Sequence, residues 1–161
     1  MPTTVATTLI IERLQSRLIE KLIGAGGYYT NVGGRVYIRK LNPLNPFTEL
    51  PAVNIAYLPM QVDGEGAKGP KNIWNRDLII VVQCCLKDST LYDDADKFVE
   101  DIFKAVGEDE TFGGIAWMTN PHTDQKGGVK ENGEYLESEI SVIDVPLKTY
   151  YRTDKYHESI S

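Results

Sequence analysis

The stretch "RDLIIVVQCCL" at residues 76–86 decides which folds are open to this 161-residue chain. After its first two residues it is almost wholly apolar and rich in β-branched side chains, so a strand formed from it would be apolar on both faces. Such a strand is stable when other strands pair with it and a helix covers at least one face. We therefore expect residues 76–86 to form the central strand of a sheet.

Two adjacent cysteines, Cys84 and Cys85, lie in this stretch. Successive strand side chains point to opposite faces, so the two thiols should not form a disulfide with each other. A zinc site needs at least three protein ligands, and no histidine lies near them in the sequence. We interpret them as buried free thiols in a reducing compartment, and we expect no metal and no cofactor.

An amphipathic helix is predicted on each side of this strand in the sequence. Before it, apolar residues recur at steps of three and four from Val5 to Ile23, and Gly24 ends the pattern. After it, a second helix ends at Gly107 and carries an apolar stripe opposite a run of acids. The stripe consists of Ala95, Phe98, Val99, Ile102, Phe103 and Val106.

Shorter stretches supply the other strands: "GGRVYIRKL" (33–41), "AVNIAYL" (52–58), "GIAWMT" (114–119) and a closing strand that includes residues 143–152. The glycine-rich polar segments 59–75 and 120–133 are predicted to be long loops, and residues 155–161 a flexible tail. Strands that follow one another directly favour antiparallel or mixed pairing. The sequence thus predicts an α+β fold: one compact domain over residues 1–161, with an antiparallel or mixed β-sheet and two α-helices packed on one face.

Pro146 lies inside the closing strand although proline has no backbone N–H for a ladder. We therefore expect this strand to lie at an edge of the sheet or to contain a bulge. The strand runs into Tyr150, Tyr151 and Arg152, and these residue types are enriched where proteins bury surface against each other. The residues alone leave two interpretations open: the tyrosines contact another subunit, or they complete the core of their own domain.

The net charge of −6 is concentrated in one segment. Residues 88–110 hold nine acids and two lysines, a sum of −7, so the rest of the chain carries about +1. The sequence lacks the basic stripe with which proteins hold DNA, and it has no apolar run near the roughly 20 residues that span a bilayer. A solvated helix face explains the acids most simply, and a surface that repels passing nucleic acid is the functional alternative.

Candidate catalytic groups are few. His122 and Asp124 lie two residues apart in "NPHTDQ", but no second histidine motif supports a metal or acid–base site there. The glycine-rich stretches match no phosphate-binding loop, and no nucleophile motif is present. We expect that the protein is not an enzyme. A small-molecule binding module or an enzyme that uses His122 and Asp124 is the alternative from another class.

Four segments together resemble the tail terminator (tail completion) proteins of long-tailed bacteriophages. They are "IIERLQSRLIEKL" (10–22), "ELPAVNIAYLP" (49–59), "DADKFVEDIFKAVGEDETFGG" (94–114) and "SVIDVPLKTYYRTD" (141–154), in the order expected for that family. The last segment, a hydrophobic strand that runs into Tyr-Arg-Thr-Asp, is the most characteristic of the four.

The resemblance implies a structural virion protein without catalytic residues, whose subunits form a ring that is hexameric in this family. Such a ring caps the last ring of the tail tube, stops tube growth and offers a joining surface to the head connector or neck protein. Genomic DNA passes through its lumen without specific binding. The protein would lie in the tail or neck of the virion, and in the host cytoplasm during assembly. A head-side neck or connector adaptor is the alternative within the same particle.

Two groups of interaction residues are predicted, from composition and loop length rather than from the family. Contacts with other subunits or with the tail tube are expected at Tyr150, Tyr151, Arg152, Asp154, Lys68, Lys71 and Trp74. The acids expected to face the lumen of a ring are Asp93, Asp94, Asp96, Glu100 and Asp101.

Overall fold

The computed structural model describes residues 5–40, 49–57, 61–62, 73–87, 92–121, 130–132 and 140–154. The elements in chain order are α1 (Ala6–Lys21), β1 (Val36–Ile38), β2 (Ala52–Tyr57), β3 (Gln61–Val62), β4 (Ile73–Lys87), α2 (Tyr92–Gly107), β5 (Ala116–Pro121), β6 (Lys130–Asn132) and β7 (Ile140–Asp154). These strands form one sheet in the order β1-β2-β4-β7-β5, in which β3 also pairs with β4 and β6 with β7. β1 and β2 are parallel and the other pairs are antiparallel. The predicted α+β fold with a mixed sheet is confirmed.

β4 is the central strand, as its sequence predicts. It pairs with β2 along one edge and with β7 along the other, and the pairing with β7 runs over all 15 residues of β4. Cys84 is buried on the helix-covered face and Cys85 on the opposite face, and both thiols are free. Burial raises the pKa of both thiols, that of Cys85 to about 12, so both stay protonated at neutral pH.

Both helices pack on one face of the sheet and share one core with it. Ile10 and Leu14 of α1 and Phe98 and Ile102 of α2 are fully buried against the apolar residues of the strands. α1 contacts β1, whereas α2 contacts β4, β7 and β5. α1 thus runs from Tyr151 of β7, which its first turn contacts, to β1, and α2 covers the strands from β4 to β5.

Strands extend into both segments that the sequence predicts to be loops. In residues 59–75, Gln61–Val62 forms β3 and β4 already begins at Ile73. In residues 120–133, β5 ends at Pro121 and Lys130–Asn132 forms β6. The polar composition misleads here because the neighbouring strand supplies backbone partners whatever the side chains are. Residues 63–72, residues 122–129 and the predicted tail 155–161 lie outside the described residues.

β7 is an interior strand, so the edge position predicted from Pro146 is wrong. Pro146 pairs with Val81 of β4 without any shift of register. On the other side of β7, β5 pairs with residues 147–151 and β6 with residues 142–144, so Pro146 lies between them. A residue without an N–H is tolerated there because neither strand has a pairing residue at that position. Among the described strands, β1 and β5 are the ones at the ends of the sheet.

Candidate interaction surface

The β5 end of the sheet presents aromatic and apolar side chains next to a cation. β5 pairs with β7 irregularly between Ala116 and Met118, where Trp117 is the extra residue of a bulge. A bulge re-aims the side chains around it, and here Trp117 and Met118 are 47% and 41% exposed. The guanidinium carbon of Arg152 lies 3.9 Å from the centroid of the Trp117 ring. We refer to Trp117, Met118, Tyr150 and Arg152 as the β5 surface.

Tyr150 and Tyr151 point to opposite faces of the sheet, as successive strand residues do. Tyr151 is 1% exposed in the helix-covered core, and its hydroxyl lies 3.4 Å from Oγ1 of Thr7. Tyr150 is half-buried on the other face, directly opposite Met118 of β5. The interface contact predicted for Tyr151 is therefore wrong, and its alternative, a place in the core of the domain, is correct. Tyr150 and the exposed Arg152 keep access to a partner.

Lys148 contacts Tyr150 from the same face of β7. Its ammonium nitrogen lies 5.4 Å from the centroid of the Tyr150 ring and 3.1 Å from Oδ2 of Asp77. Asp77 is only 8% exposed, so its carboxylate needs this cation to offset its desolvation. The ion pair thus places a cation beside the Tyr150 ring at one side of the β5 surface.

The remaining residues of the predicted interface are only partly placed. Trp74 pairs with Thr153 and Asp154 with Ile73, where β4 and β7 continue past the first residue of β5. Lys68 and Lys71 lie outside the described residues, as do His122 and Asp124. The sequence prediction omitted Trp117 and Met118. A signal was present in the sequence, because in a regular strand at most one of two adjacent large apolar residues turns to the core.

The face of the sheet opposite the helices carries alternating polar and apolar rows. Across β2, β4 and β7, Asn54 Nδ2 donates to Gln83 Oε1 at 2.9 Å, and Gln83 Nε2 donates to Asp144 Oδ1 at 3.3 Å. The row on one side of this ladder is Ala56, Val81 and Pro146, and on the other side it is Ala52, Cys85 and Val142. Ala52, Cys85 and Val142 are buried, so this face is not a uniformly solvated surface.

The acids of α2 divide into exposed and buried ones. Asp94, Asp96 and Glu100 are exposed, and Asp93 lies in the first turn of the helix. Asp101 is 1% exposed and accepts backbone N–H bonds from Tyr29 at 3.0 Å and Thr30 at 2.7 Å. The lumen-facing position predicted for Asp101 is therefore wrong, because its carboxylate is used to hold the chain between α1 and β1.

Charged side chains also join α1 to the turn that follows α2. Arg17 forms an ion pair with Asp109 at 3.2 Å, and Lys21 forms one with Glu108 at the same distance. Asp109 accepts hydrogen bonds from the hydroxyl and N–H of Thr111 and from the N–H of Gly113. These bonds, together with Arg17, hold the pKa of Asp109 well below its usual range. This contact lies between two of the segments that carry the family resemblance.

Within the described ranges, no group of three or more histidine, cysteine or acidic side chains is placed to hold a metal ion. Of the two helices described, neither has the length and hydropathy that crossing a membrane requires.

Comparison with known proteins gives matches among solved structures. No protein-family model matches the sequence, and no curated protein matches it. Among solved structures, the chain is similar to the sheath/tube terminator of an extracellular contractile injection system, PVC, determined by cryo-EM in its extended state. The TM-score is 0.49 and the sequence identity 11%, and the alignment covers 100% of this chain and 62% of that chain. This chain thus spans somewhat less than two thirds of the length of that terminator.

Proposed function

We propose that the protein is a structural subunit that closes the end of a tail tube. The observation that carries the proposal is the β5 surface. It places Tyr150 and Arg152, from the segment most characteristic of tail terminators, beside an exposed tryptophan and methionine. Tryptophan, tyrosine and arginine dominate the energetics of protein interfaces. The Arg152–Trp117 and Lys148–Tyr150 contacts restrict these side chains before any partner arrives, which reduces the entropy lost on binding.

In this proposal the subunits form a ring, hexameric as the family resemblance implies, and the β5 surface meets the last ring of the tail tube. Capping stops the addition of tube protein and leaves the opposite side of the ring for the head connector or neck protein. DNA passes through the lumen without specific binding. No catalytic step is assigned to any residue. The lumen-facing role of Asp93, Asp94, Asp96 and Glu100 remains a prediction that requires the outer face of α2 to point to the ring axis.

Electron microscopy of purified tail tubes with and without the protein tests the proposal. We expect rings of the protein at one end of the tubes, and we expect added protein to stop elongation by free tube subunits. A Trp117→Ala/Arg152→Glu variant should fold and lose end binding. Lys87→Glu is the matched control, because it reverses the charge of an exposed lysine at the last residue of β4, at the opposite end of that strand from the β5 surface.

Failure to bind tube ends at any concentration, with no effect on tube length, would refute the proposal. Binding to purified head connector rings but not to tubes would instead identify a head-side adaptor. A catalytic activity that His122→Ala abolishes would support the alternative of a small-molecule site.

A further inference from the structure

We propose that the cationic edge of β1 contacts the acidic outer face of α2 in a second copy of this chain, and that this contact joins the subunits side by side. The inference rests on the proposed function, because it assumes that the subunits form a ring. It goes further because it names both surfaces of the joint, and it places Asp94, Asp96 and Glu100 between subunits instead of in the lumen. The two surfaces are the β1 edge (Arg35, Arg39 and Lys40) and the α2 face (Asp94, Asp96 and Glu100).

The β1 edge concentrates positive charge in a chain that is acidic overall. Arg35, Arg39 and Lys40 lie within six residues that contain no acid, whereas the whole chain carries −6. Within the described ranges, no ion pair joins any of the three to a carboxylate. Arg35 instead donates from Nε to the carbonyl of Pro51 at 3.1 Å. The charge of this edge is thus available to an external partner.

Two of these cations are held in place by tyrosine rings. The guanidinium carbon of Arg39 lies 3.8 Å from the centroid of the Tyr57 ring, and Nη2 donates to the Tyr57 carbonyl at 3.3 Å. The ammonium nitrogen of Lys40 lies 4.7 Å from the centroid of the Tyr37 ring. Cations restrained in this way lose less conformational entropy when they bind a carboxylate than freely rotating ones do.

The backbone of β1 is poorly suited to pairing with another strand. Arg35 and Arg39 make the backbone bonds to β2, through the Arg35 carbonyl to Val53 and the Arg39 N–H to Ile55. The backbone N–H and carbonyl of Val36 therefore point away from β2, toward the open edge. The carbonyl already accepts a bond from Nε2 of Gln15 at 2.8 Å. A side-chain cap of this kind blocks edge-to-edge pairing. Recognition at this edge consequently depends on the side chains, above all on their charge.

The α2 face offers the complementary charge. Asp96 and Glu100 are one helical turn apart and both exposed, so they repel each other within one helix. Lys104, a cation of the same helix, instead donates to the carbonyl of Gly27 at 2.9 Å, in the segment that links α1 to β1. A cation from a neighbouring molecule would relieve the repulsion between the acids.

The two surfaces belong to different elements that cover different strands of the sheet. β1 is an end strand of the sheet, and α2 packs over β4, β7 and β5 at the other end. Among the described residues, no ion pair joins these two surfaces within one subunit, whereas the β1 edge of one subunit is able to meet the α2 face of another. A contact between different surfaces of identical subunits is head-to-tail, and it closes into a ring when the rotation per subunit permits.

Charge reversal in the full-length chain tests the joint. Arg39→Glu/Lys40→Glu makes both surfaces acidic, and Asp96→Lys/Glu100→Lys makes both basic. We expect each double variant to have a dissociation constant for self-association about 100-fold or more above that of the original chain. An equimolar mixture of the two should associate again, because acidic and basic subunits alternate around the joint. Sedimentation velocity at low and high salt measures all three samples, and association should weaken as salt rises.

Glu12→Lys/Glu20→Lys is the matched control, since it reverses two exposed acids on α1, outside both surfaces. It should associate like the original chain. The proposal is overturned if the reversed variants associate as the original does, or if their mixture stays monomeric while each melts at the original temperature. Loss of binding to a single-stranded oligonucleotide in Arg39→Glu/Lys40→Glu, with association unchanged, would also overturn it in favour of a nucleic-acid surface. Tube capping that survives loss of the joint would leave the proposed function standing without this inference.

Discussion

Tyr151 shows at the scale of one residue how the closing segment serves the fold. Its ring lies in the core that both helices share with the sheet, and its hydroxyl reaches Thr7 at the start of α1. Its neighbours Tyr150 and Arg152 lie on the other face. One short segment therefore supplies both a core anchor and the residues of the β5 surface.

Replacing Tyr151 should test its place in the core through the stability of the fold. We expect Tyr151→Ala to lower the free energy of unfolding by about 3–5 kcal/mol, because it empties a fully buried aromatic site. Tyr151→Phe should cost much less, about 1 kcal/mol, since it keeps the buried ring and removes the hydroxyl. Urea unfolding followed by circular dichroism measures both. Tyr150→Ala is the control, and a loss as large as that of Tyr151→Ala would contradict the assignment of the two tyrosines to different faces.

Asp109 gives a pH dependence of stability with a definite sign. Its pKa is lowered in the folded protein by bonds from Thr111 and Gly113 and by Arg17. The stabilisation is therefore fully present above the ordinary pKa of about 3.9 and is lost as the pH falls toward the lowered value. We expect Asp109→Ala to be clearly less stable than the original chain at pH 7 and the difference to shrink below about pH 4.

Urea midpoints measured across this pH range test the sign. Glu110→Ala, which removes an exposed acid in the same turn, should change stability little at either end of the range. A difference between Asp109→Ala and the original chain that stays constant down to pH 2 would show that the carboxylate is not stabilised in the folded state.

At the scale of elements, α2 holds the connection between α1 and β1 through Asp101. This carboxylate accepts the N–H groups of Tyr29 and Thr30, and the carbonyl of Thr30 in turn accepts the N–H of Gly24. Tyr28 and Val32 of this segment are buried in the core, but Tyr29 between them is 64% exposed and does not hold its own backbone by burial. Its conformation consequently depends on a side chain from a helix that follows it by about 70 residues.

We expect Asp101→Ala to destabilise the protein by about 2–3 kcal/mol, because the backbone N–H groups of Tyr29 and Thr30 lose their acceptor. Hydrogen exchange should accelerate at these two amides more than elsewhere. Asp101→Asn, which keeps one acceptor oxygen, should show a smaller effect. Glu100→Ala is the control at an exposed neighbour, and equal acceleration in that variant would contradict the anchoring role.

For the whole molecule, the core that both helices share with the sheet predicts cooperative unfolding. Apolar residues of α1, α2 and the strands form one continuous buried cluster, so no element can leave without exposing the others. We expect tryptophan fluorescence and far-ultraviolet circular dichroism to report the same urea midpoint. Two separate transitions would show that the β5 side and the β1 side unfold independently, which would contradict one shared core.

The residues of the sequence determined the class of fold and the placement of its core elements. Residues 76–86 required a central strand because their two apolar faces need covering, and the apolar period of the two helices fixed which sides of them turn to the sheet. These are properties of neighbouring residues, and a local pattern is sufficient to read them.

Only the tertiary structure decided the position of each strand in the sheet and therefore the exposure of each candidate residue. Pro146 could not reveal an interior strand, because the gap between β5 and β6 depends on residues far away in the sequence. The same pairing turned Tyr151 inward, and the bulge at Trp117 left that ring outside. Asp101 likewise became a buried anchor only when the folded chain brought Tyr29 and Thr30 to it. Local periodicity determines whether a segment forms a helix or a strand, whereas long-range pairing determines which residues its side chains contact.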